Sequence, residues 1–523
     1  MALVQESSSE EVVEINSMST SKEVEEMSES DSDEISMSEL LWTSCRNETL
    51  YLIYSPLFVH IASGSLDDKE FDQYVADYAY LLKDFVEVWS SNVKQELGRN
   101  NSLVGQKLCL NPTKETTLHP ATAKYKELLL ATASGNIQVS EIPIQQSKIP
   151  SYTLGAVMPS LRLYAFLSEA MQKLVSPYVY SHPYSKWLKE YSYESFERSY
   201  LDSEEVLDEL CDSLTEKEVE VVERLYYQAM ALQMDFFYSR HVASLEILAN
   251  IEILTAQKPD QQLQGEDRER HSQITSIDLR KTWELLSQQY TWENNNFVEK
   301  IMLGKKAVSF DYEGLYSALV KLSSSEEQAV SRIFDSGVLK GISLEDIKQK
   351  VNNLDASVIV MSCWSGDLTR SALSGGLDML KVDGNEFSYG DGIFTGEVTR
   401  QAHQSVTAKL KYFEDMVQEN ASEHGVGSRT VFVGGSVSDL LCLLTADIGI
   451  VIGSNKSLIK VGKHFGITFV PLCAGVVKEQ KKRFKIGNPI VWTGGLSGTL
   501  YTVTSWIEIH AFILGCDLVN EEL

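Results

Sequence analysis

The sequence predicts a multidomain chain, an all-α bundle followed by an α/β core built on a parallel sheet. The 523 residues exceed one ordinary domain, so two or three are expected. From about residue 38 to residue 240, apolar residues recur at spacings of three and four, the helical period. From about residue 350 onward, short apolar runs of strand length alternate with helical segments, the signature of a parallel sheet with crossovers.

Composition narrows the class. The chain is 43% hydrophobic and 23% charged, which suits sizeable cores. Its net charge of -28 argues against binding nucleic acid or an anionic membrane through bulk electrostatics. Residues 1–40 hold twelve Asp or Glu and one Lys among eleven Ser, and so supply -11 of that charge. Such a head is too acidic and too poor in apolar runs to fold alone, and it reads as a disordered tail over 1–37. Ser28, Ser30 and Ser32, flanked by acids, suit acid-directed kinases. The head is the opposite of an Arg-rich, acid-poor transit peptide and has no secretory apolar core, so a cytoplasmic protein is expected. No run approaches a membrane span. Seven scattered Cys, without CxxC pairs or zinc spacing, read as reduced structural thiols.

The bundle elements follow in order. Phe71, Tyr74, Tyr78, Leu81, Leu82 and Phe85 mark one helix face. Tyr125, Leu128, Leu129 and Thr132 mark the next helix, ended by Gly135. Residues 159–170 and 216–238 give two more periodic segments, and Ser181-His182-Pro183-Tyr184 breaks the chain between them. Tyr74, Tyr78, Tyr125, Tyr164, Tyr184 and Tyr191 either line a pocket for a flat ring or form ordinary core. Beyond His241, residues 256–274 form a polar linker or cap loop, and helical segments run from Ile277 to about Lys350. Strands are expected at 357–361, 431–433, 448–452 and 469–471. Val431 to Val451, VFVGGSVSDLLCLLTADIGIV, is the most telling stretch: strand, Gly-turn, helix capped by Ser436, strand. The ligand edge of such a βαβ unit lies at the carboxyl end of its first strand.

FDQYVADYAYLLKDF, TAKYKELLLATASG, SYTLGAVMPSLRLYAFL, SHPYSKWLKEYS and AMALQMDFFYSR, in this order, resemble the TenA (thiaminase II-like) family over residues 38–242. The resemblance implies an oligomeric helical bundle that needs no cofactor. It also implies hydrolysis of aminopyrimidine breakdown products of thiamin, or of thiamin itself, in a pocket of aromatics and carboxylates. Tyr125, Tyr184 and Tyr191 fit the pattern as substrate-binding residues. The family's Gln-Asp pair is Asp77-Tyr78 here, a displacement of one residue that turns the side chain by about 100°. Ser160 stands where many members carry a nucleophilic Cys, and a hydroxyl is a weak nucleophile unless a base activates it. Asp235 matches the late catalytic Glu with a shorter reach.

FDYEGLYSALVKL, SGVLKGISLEDIK, SCWSGDLTRSAL, NEFSYGDGIFTGEV, the 431–451 stretch and LSGTLYTVTSWIEIHAFILG resemble the haloacid dehalogenase-type phosphatases. With the first half, they resemble the plant fusion of a TenA domain to such a phosphatase acting on thiamin monophosphate. The resemblance implies a domain over 243–523, with a helical cap at about 243–350 and a Rossmann-like core at about 351–523. It assigns Ser362 as the phosphate hydroxyl, Lys409 as the neutralising lysine and Asp439 as the remaining acid of a Mg²⁺ site. Gly435 stands where the family's first metal Asp belongs. No DxDxT exists in the chain. Ala243 to Leu248 resembles the helix that normally follows the nucleophile, so the nucleophile strand itself is expected to be missing.

Two function classes result. One is a salvage hydrolase of aminopyrimidines, active through Asp235 and Ser160, joined to an inactive phosphatase half. The other is a non-catalytic pyrimidine-binding or scaffold protein, or an exon-skipped isoform of an active phosphatase. Either takes a small-molecule aminopyrimidine or thiamin derivative as partner and assembles as a homo-oligomer.

Overall fold

The computed structural model describes residues 35–88, 118–138, 142–175, 181–190, 193–238, 251–256, 276–322, 358–365, 381–390, 393–400, 405–424, 429–486, 497–513 and 515. The acidic head up to residue 34, the polar segment 257–275 and Tyr191 lie outside them. The chain divides into two compact units.

Unit 1 is helical. It contains α1 (Met37–Ser44), α2 (Arg46–Ile53), α3 (Pro56–Ser63), α4 (Asp68–Val88), α5 (Pro120–Ala133), α6 (Ile149–Val175), α7 (Ser185–Glu190), α8 (Tyr193–Cys211) and α9 (Glu216–Tyr238). Helix starts obey capping chemistry: Ser36 and Ser55 accept from the backbone amides of Glu39 and Phe58, and Pro56 and Pro120 occupy first-turn positions that need no donor. The 27-residue α6 is the central member. It is buried almost continuously from Ile149 to Leu161, because α5, α8 and α9 all pack on it.

Unit 1 also takes residues 473–490 and 506–523, far along the chain. These include most of α15 (Leu472–Ile486) and all of α16 (Trp506–Ile513). The buried Tyr54 hydroxyl donates to Glu508 at 3.2 Å, and the Cys473 thiol donates to the Ile53 carbonyl at 3.6 Å. Tyr51 and His510 share a hydrogen bond of 2.9 Å.

Unit 2 is an α/β domain. Its strands are β1 (Ile251–Ala256), β2 (Val358–Ser365), β3 (Lys381–Gly390), β4 (Ile393–Arg400), β5 (Arg429–Gly434), β6 (Ile448–Ile452), β7 (Thr468–Pro471) and β8 (Thr499–Val503). They form one sheet in the order β4-β3-β2-β1-β5-β6-β8-β7, parallel except for the β3–β4 hairpin. Its helices are α10 (Ser276–Met302), α11 (312–322), α12 (Val406–His424), α13 (Leu440–Thr445) and α14 (Lys456–His464). Leu315, Phe413, Phe432, Leu441, Val461 and Leu500 belong to one continuous buried cluster. Burial of each such side chain contributes roughly 1.5–3 kcal/mol.

The expectation that the central strand is missing is overturned. β1 fills that place, hydrogen-bonded in parallel to β2 on one side and β5 on the other. Ile251–Ala256, which the sequence placed in the cap, is therefore core sheet. The six-residue run Ile251–Ala256 is too short for its period to decide between helix and strand, and pairing on both edges makes it strand.

Candidate functional site

Two sites emerge, one in each unit. In unit 1, α3, α4, α6, α7 and α9 line a small cavity of about 30 Å³ that opens to solvent. Its aromatic lining is Phe58, Tyr74, Tyr78, Tyr164, Trp187 and Phe237. The Tyr78 and Tyr164 rings lie 4.3 Å apart between centroids, and Trp187 meets Tyr74 edge-on at 5.8 Å. The lining rings pack on one another at the tilted and edge-on separations that aromatic pairs favour.

One helical turn from the cleft, on the same two helices, sit Ser160 (before Tyr164) and Gln233 (before Phe237). The Gln233 amide donates to the Ser160 hydroxyl at 2.7 Å, and the Tyr125 hydroxyl makes a short hydrogen bond to the same oxygen. Tyr125 also donates to the Ala156 carbonyl at 2.9 Å. All three side chains are buried. Burial drives the Tyr125 phenol far above its ordinary value, and its bonds to Ser160 and Gln233 offset this only in part. The phenol therefore stays protonated at neutral pH, and an amide takes no proton. The Gln233 carbonyl oxygen is buried without a hydrogen-bond partner among the described residues.

The sequence-expected site residues divide accordingly. Tyr125 and Ser160 come together, and Tyr78 lines the cleft. Asp235, expected as a catalytic acid, lies with its side chain 48% exposed, 3.7 Å from Lys124. Two residues beyond Gln233 on a helix, it is turned about 200° from it. Asp77 is buried and accepts the His119 amide at 3.1 Å, tying α4 to the start of α5, and it does not line the cleft. Tyr184 stacks on Phe71 at 3.8 Å and donates to the Leu66 carbonyl at 2.6 Å, also away from the lining. Gln233, which the sequence did not single out, is the buried partner of Ser160. The signal was a polar residue on the apolar stripe of Met230, Phe236 and Phe237.

In unit 2 the second site lies past the carboxyl end of β5. The Lys409 ammonium, from α12, pairs with Asp439 Oδ1 at 2.7 Å. Asp439 Oδ2 accepts from the Gly435 amide at 3.1 Å, the Ser436 amide at 2.9 Å and the Ser436 hydroxyl at 2.7 Å. Burial alone would raise the Asp439 pKa, but the Lys409 charge and the Ser436 hydrogen bonds outweigh it and hold the carboxyl below its ordinary value. Sheet register sets Ala256 opposite Met361 and Thr255 opposite Val433. Ser362 lies on β2, the strand next to β1. A Cβ on Gly435 would come 3.0 Å from the Ile452 carbonyl oxygen, so an Asp there requires that backbone to give way.

Among the described residues, the groups around Asp439 do not fit a divalent cation. Both Asp439 oxygens already take donors, and a metal would have to displace the Lys409 ammonium. Among the described residues no group of three His, Cys, Asp or Glu could hold a metal.

The chain thus joins a helical bundle with an aromatic cleft to an α/β domain built on a mostly parallel sheet, a two-unit protein. The sequence is 39% identical over 552 residues to the bifunctional TH2 protein, mitochondrial, of Arabidopsis thaliana, covering 91% of this chain and 88% of that one. The chain belongs to this bifunctional TH2 family. Among solved structures, a TenA homologue from P. horikoshii OT3 is 19% identical, with a TM-score of 0.29, over 39% of this chain and 97% of its own. A phospho-aspartyl intermediate analogue of phosphoserine phosphatase is 16% identical, with a TM-score of 0.21, over 40% and 90%. No family model matches the sequence. Among the described residues, no helix is long and apolar enough to cross a membrane.

Proposed function

We propose that this chain is a thiamin-salvage protein whose helical unit binds an aminopyrimidine or thiamin-derived ring in the Tyr78–Tyr164–Trp187 cleft and does not hydrolyse it. The observation that carries the reading is the neutral company of Ser160: a protonated Tyr125 and the amide of Gln233. A serine becomes a nucleophile when a neighbouring base takes its proton, and neither group does so. The test is calorimetry with 4-amino-5-aminomethyl-2-methylpyrimidine and with thiamin, beside an ammonia assay on the same samples. Saturable binding without ammonia is expected, and sustained ammonia release would overturn the proposal.

An aminohydrolase acting through Ser160 and Asp235 is the second reading, favoured by the place of Ser160 one turn from the cleft residue Tyr164. It requires that Asp235→Ala abolish turnover. The α/β unit is proposed to be inactive as a phosphatase, because the chain has no DxDxT and Lys409 holds the carboxylate left for a metal. A transcript carrying a DxDxT segment would make this chain an isoform of an active phosphatase. We place the protein in the cytoplasm, on the acidic composition of its head, and expect a homo-oligomer. Fractionation tests the first, since the Arabidopsis relative is named as mitochondrial, and light scattering tests the second.

A further inference from the structure

Away from the Asp439 site, unit 2 gathers four exposed lysines in an acidic chain, with the exposed acids Glu299 and Asp311 at the ends of one of the two segments that supply them. Between Asp447 and Glu479 the sequence has no acid, and between Glu299 and Asp311 it has none either, in a chain of net charge -28. Backbone bonds join these two segments. The Ala307 amide donates to the His464 carbonyl, and the Asp311 amide donates to the Phe465 carbonyl, each at 2.9 Å. Lys305 and Lys306 thereby come beside the end of α14, where Lys460 and Lys463 are exposed on one helix face. Among the described residues no ion pair ties any of these four lysines.

Two aliphatic side chains flank the lysine pair. Leu303 is 87% exposed and Val308 is 99% exposed. Their presentation is fixed. Gly466, at φ +77°, lies where an added Cβ would stand 2.6 Å from the Ser309 carbonyl, and Gly498, at φ +75°, lies under the Phe310 ring at 2.5 Å by the same measure. Left-handed glycines let the strap of residues 304–311 lie this close to the N-terminal ends of β7 and β8. Isolated exposed aliphatics need no explanation. A pinned strap that holds two of them outward amid unpaired lysines matches an interfacial anchor, in which apolar tips enter the headgroup boundary and lysines meet anionic lipid.

We propose that this strap-and-α14 face docks the protein peripherally on an anionic phospholipid surface. Charge complementarity selects the partner, and the -28 charge of the whole chain opposes docking only weakly, since beyond about 8 Å charges are largely screened at physiological salt. The test is flotation of the full chain with vesicles containing about one-third phosphatidylserine, against vesicles of phosphatidylcholine alone. Salt-sensitive binding to the first and none to the second is expected. Lys305→Glu/Lys306→Glu/Lys463→Glu should lower partitioning on the order of a hundredfold or more. Leu303→Asp/Val308→Asp, also at exposed positions, should lower it with the lysines intact. Circular dichroism and pyrimidine calorimetry keep loss of fold distinct from loss of docking. The proposal fails if the wild-type chain ignores anionic vesicles, or if the lysine variant binds them equally. Binding to a polyglutamate peptide without binding to vesicles would overturn it in favour of an acidic protein partner.

Discussion

Replacing Lys409 by Met removes the ammonium that pairs with Asp439 at 2.7 Å and keeps most of the side-chain volume. Both partners are buried, with side chains 7% and 4% exposed, so the carboxylate left behind gains no water. Breaking a buried pair from one side costs about 3–5 kcal/mol. Asp439 retains three donors on Oδ2, which favours the lower end, about 3 kcal/mol. Because the chain has two units, a single melting temperature is not a clean readout. Hydrogen exchange of the β5 and α13 peptides reads the same free energy locally, as exchange roughly 150-fold faster. Adding Asp439→Asn removes the stranded charge and should restore most of the protection. The pH dependence has a definite sign. The wild-type Asp439 is held below its unfolded value, so its stabilisation is present above the ordinary carboxylate range and is lost as pH falls through the folded value. In Lys409→Met the opposing charge is gone and burial raises the carboxyl, so the deficit should shrink as the solution is acidified. A deficit below about 0.5 kcal/mol at neutral pH, or a double variant no better than the single, would refute the account of this site.

Three further outcomes are expected. Trp187→Ala removes an edge of the cleft, and ring binding measured by calorimetry should weaken about tenfold with the helical content unchanged. Gln233→Glu places a proton acceptor at Ser160, so ammonia release should appear; silence with unchanged ring binding would show that Ser160 is not held back by its neutral neighbours. Gly498→Ala meets both the φ of +75° and the Phe310 ring, and should destabilise unit 2 by about 1–3 kcal/mol in local exchange. Phe310→Ala combined with it should recover only the steric part.

The sequence disclosed those parts of the molecule whose local chemistry has one solution. The alternating runs at 431–433 and 448–452 became β5 and β6, and Gly-Gly-Ser before Val437 became the turn that seats Asp439. Tyr74, Tyr78 and Tyr164 line the cleft because aromatics spaced by helical turns share a face. β1 was hidden because Ile251, Ile253 and Leu254 follow a segment with helical period, and a six-residue run does not say which neighbours will pair with it. Gln233 was hidden for another reason. Charge drew attention to Asp235, while the helix phase, set by Phe237 four residues on, points Gln233 at Ser160 and leaves Asp235 beside Lys124.

The return of α15 and α16 to unit 1 has a consequence for synthesis. Tyr54 leaves the ribosome early, and its buried partner Glu508 comes 454 residues later. At ~5–20 residues per second that interval is roughly 20 to 90 seconds. During it the strands of unit 2 are made, while the helices of unit 1 wait with Tyr51, Tyr54 and the Ile53 carbonyl open to solvent. Nascent chains stalled between these points should be the species that chaperones hold, and a fragment ending near residue 242 should share their exposed face. The two units are interleaved along the chain, so one cut does not separate them.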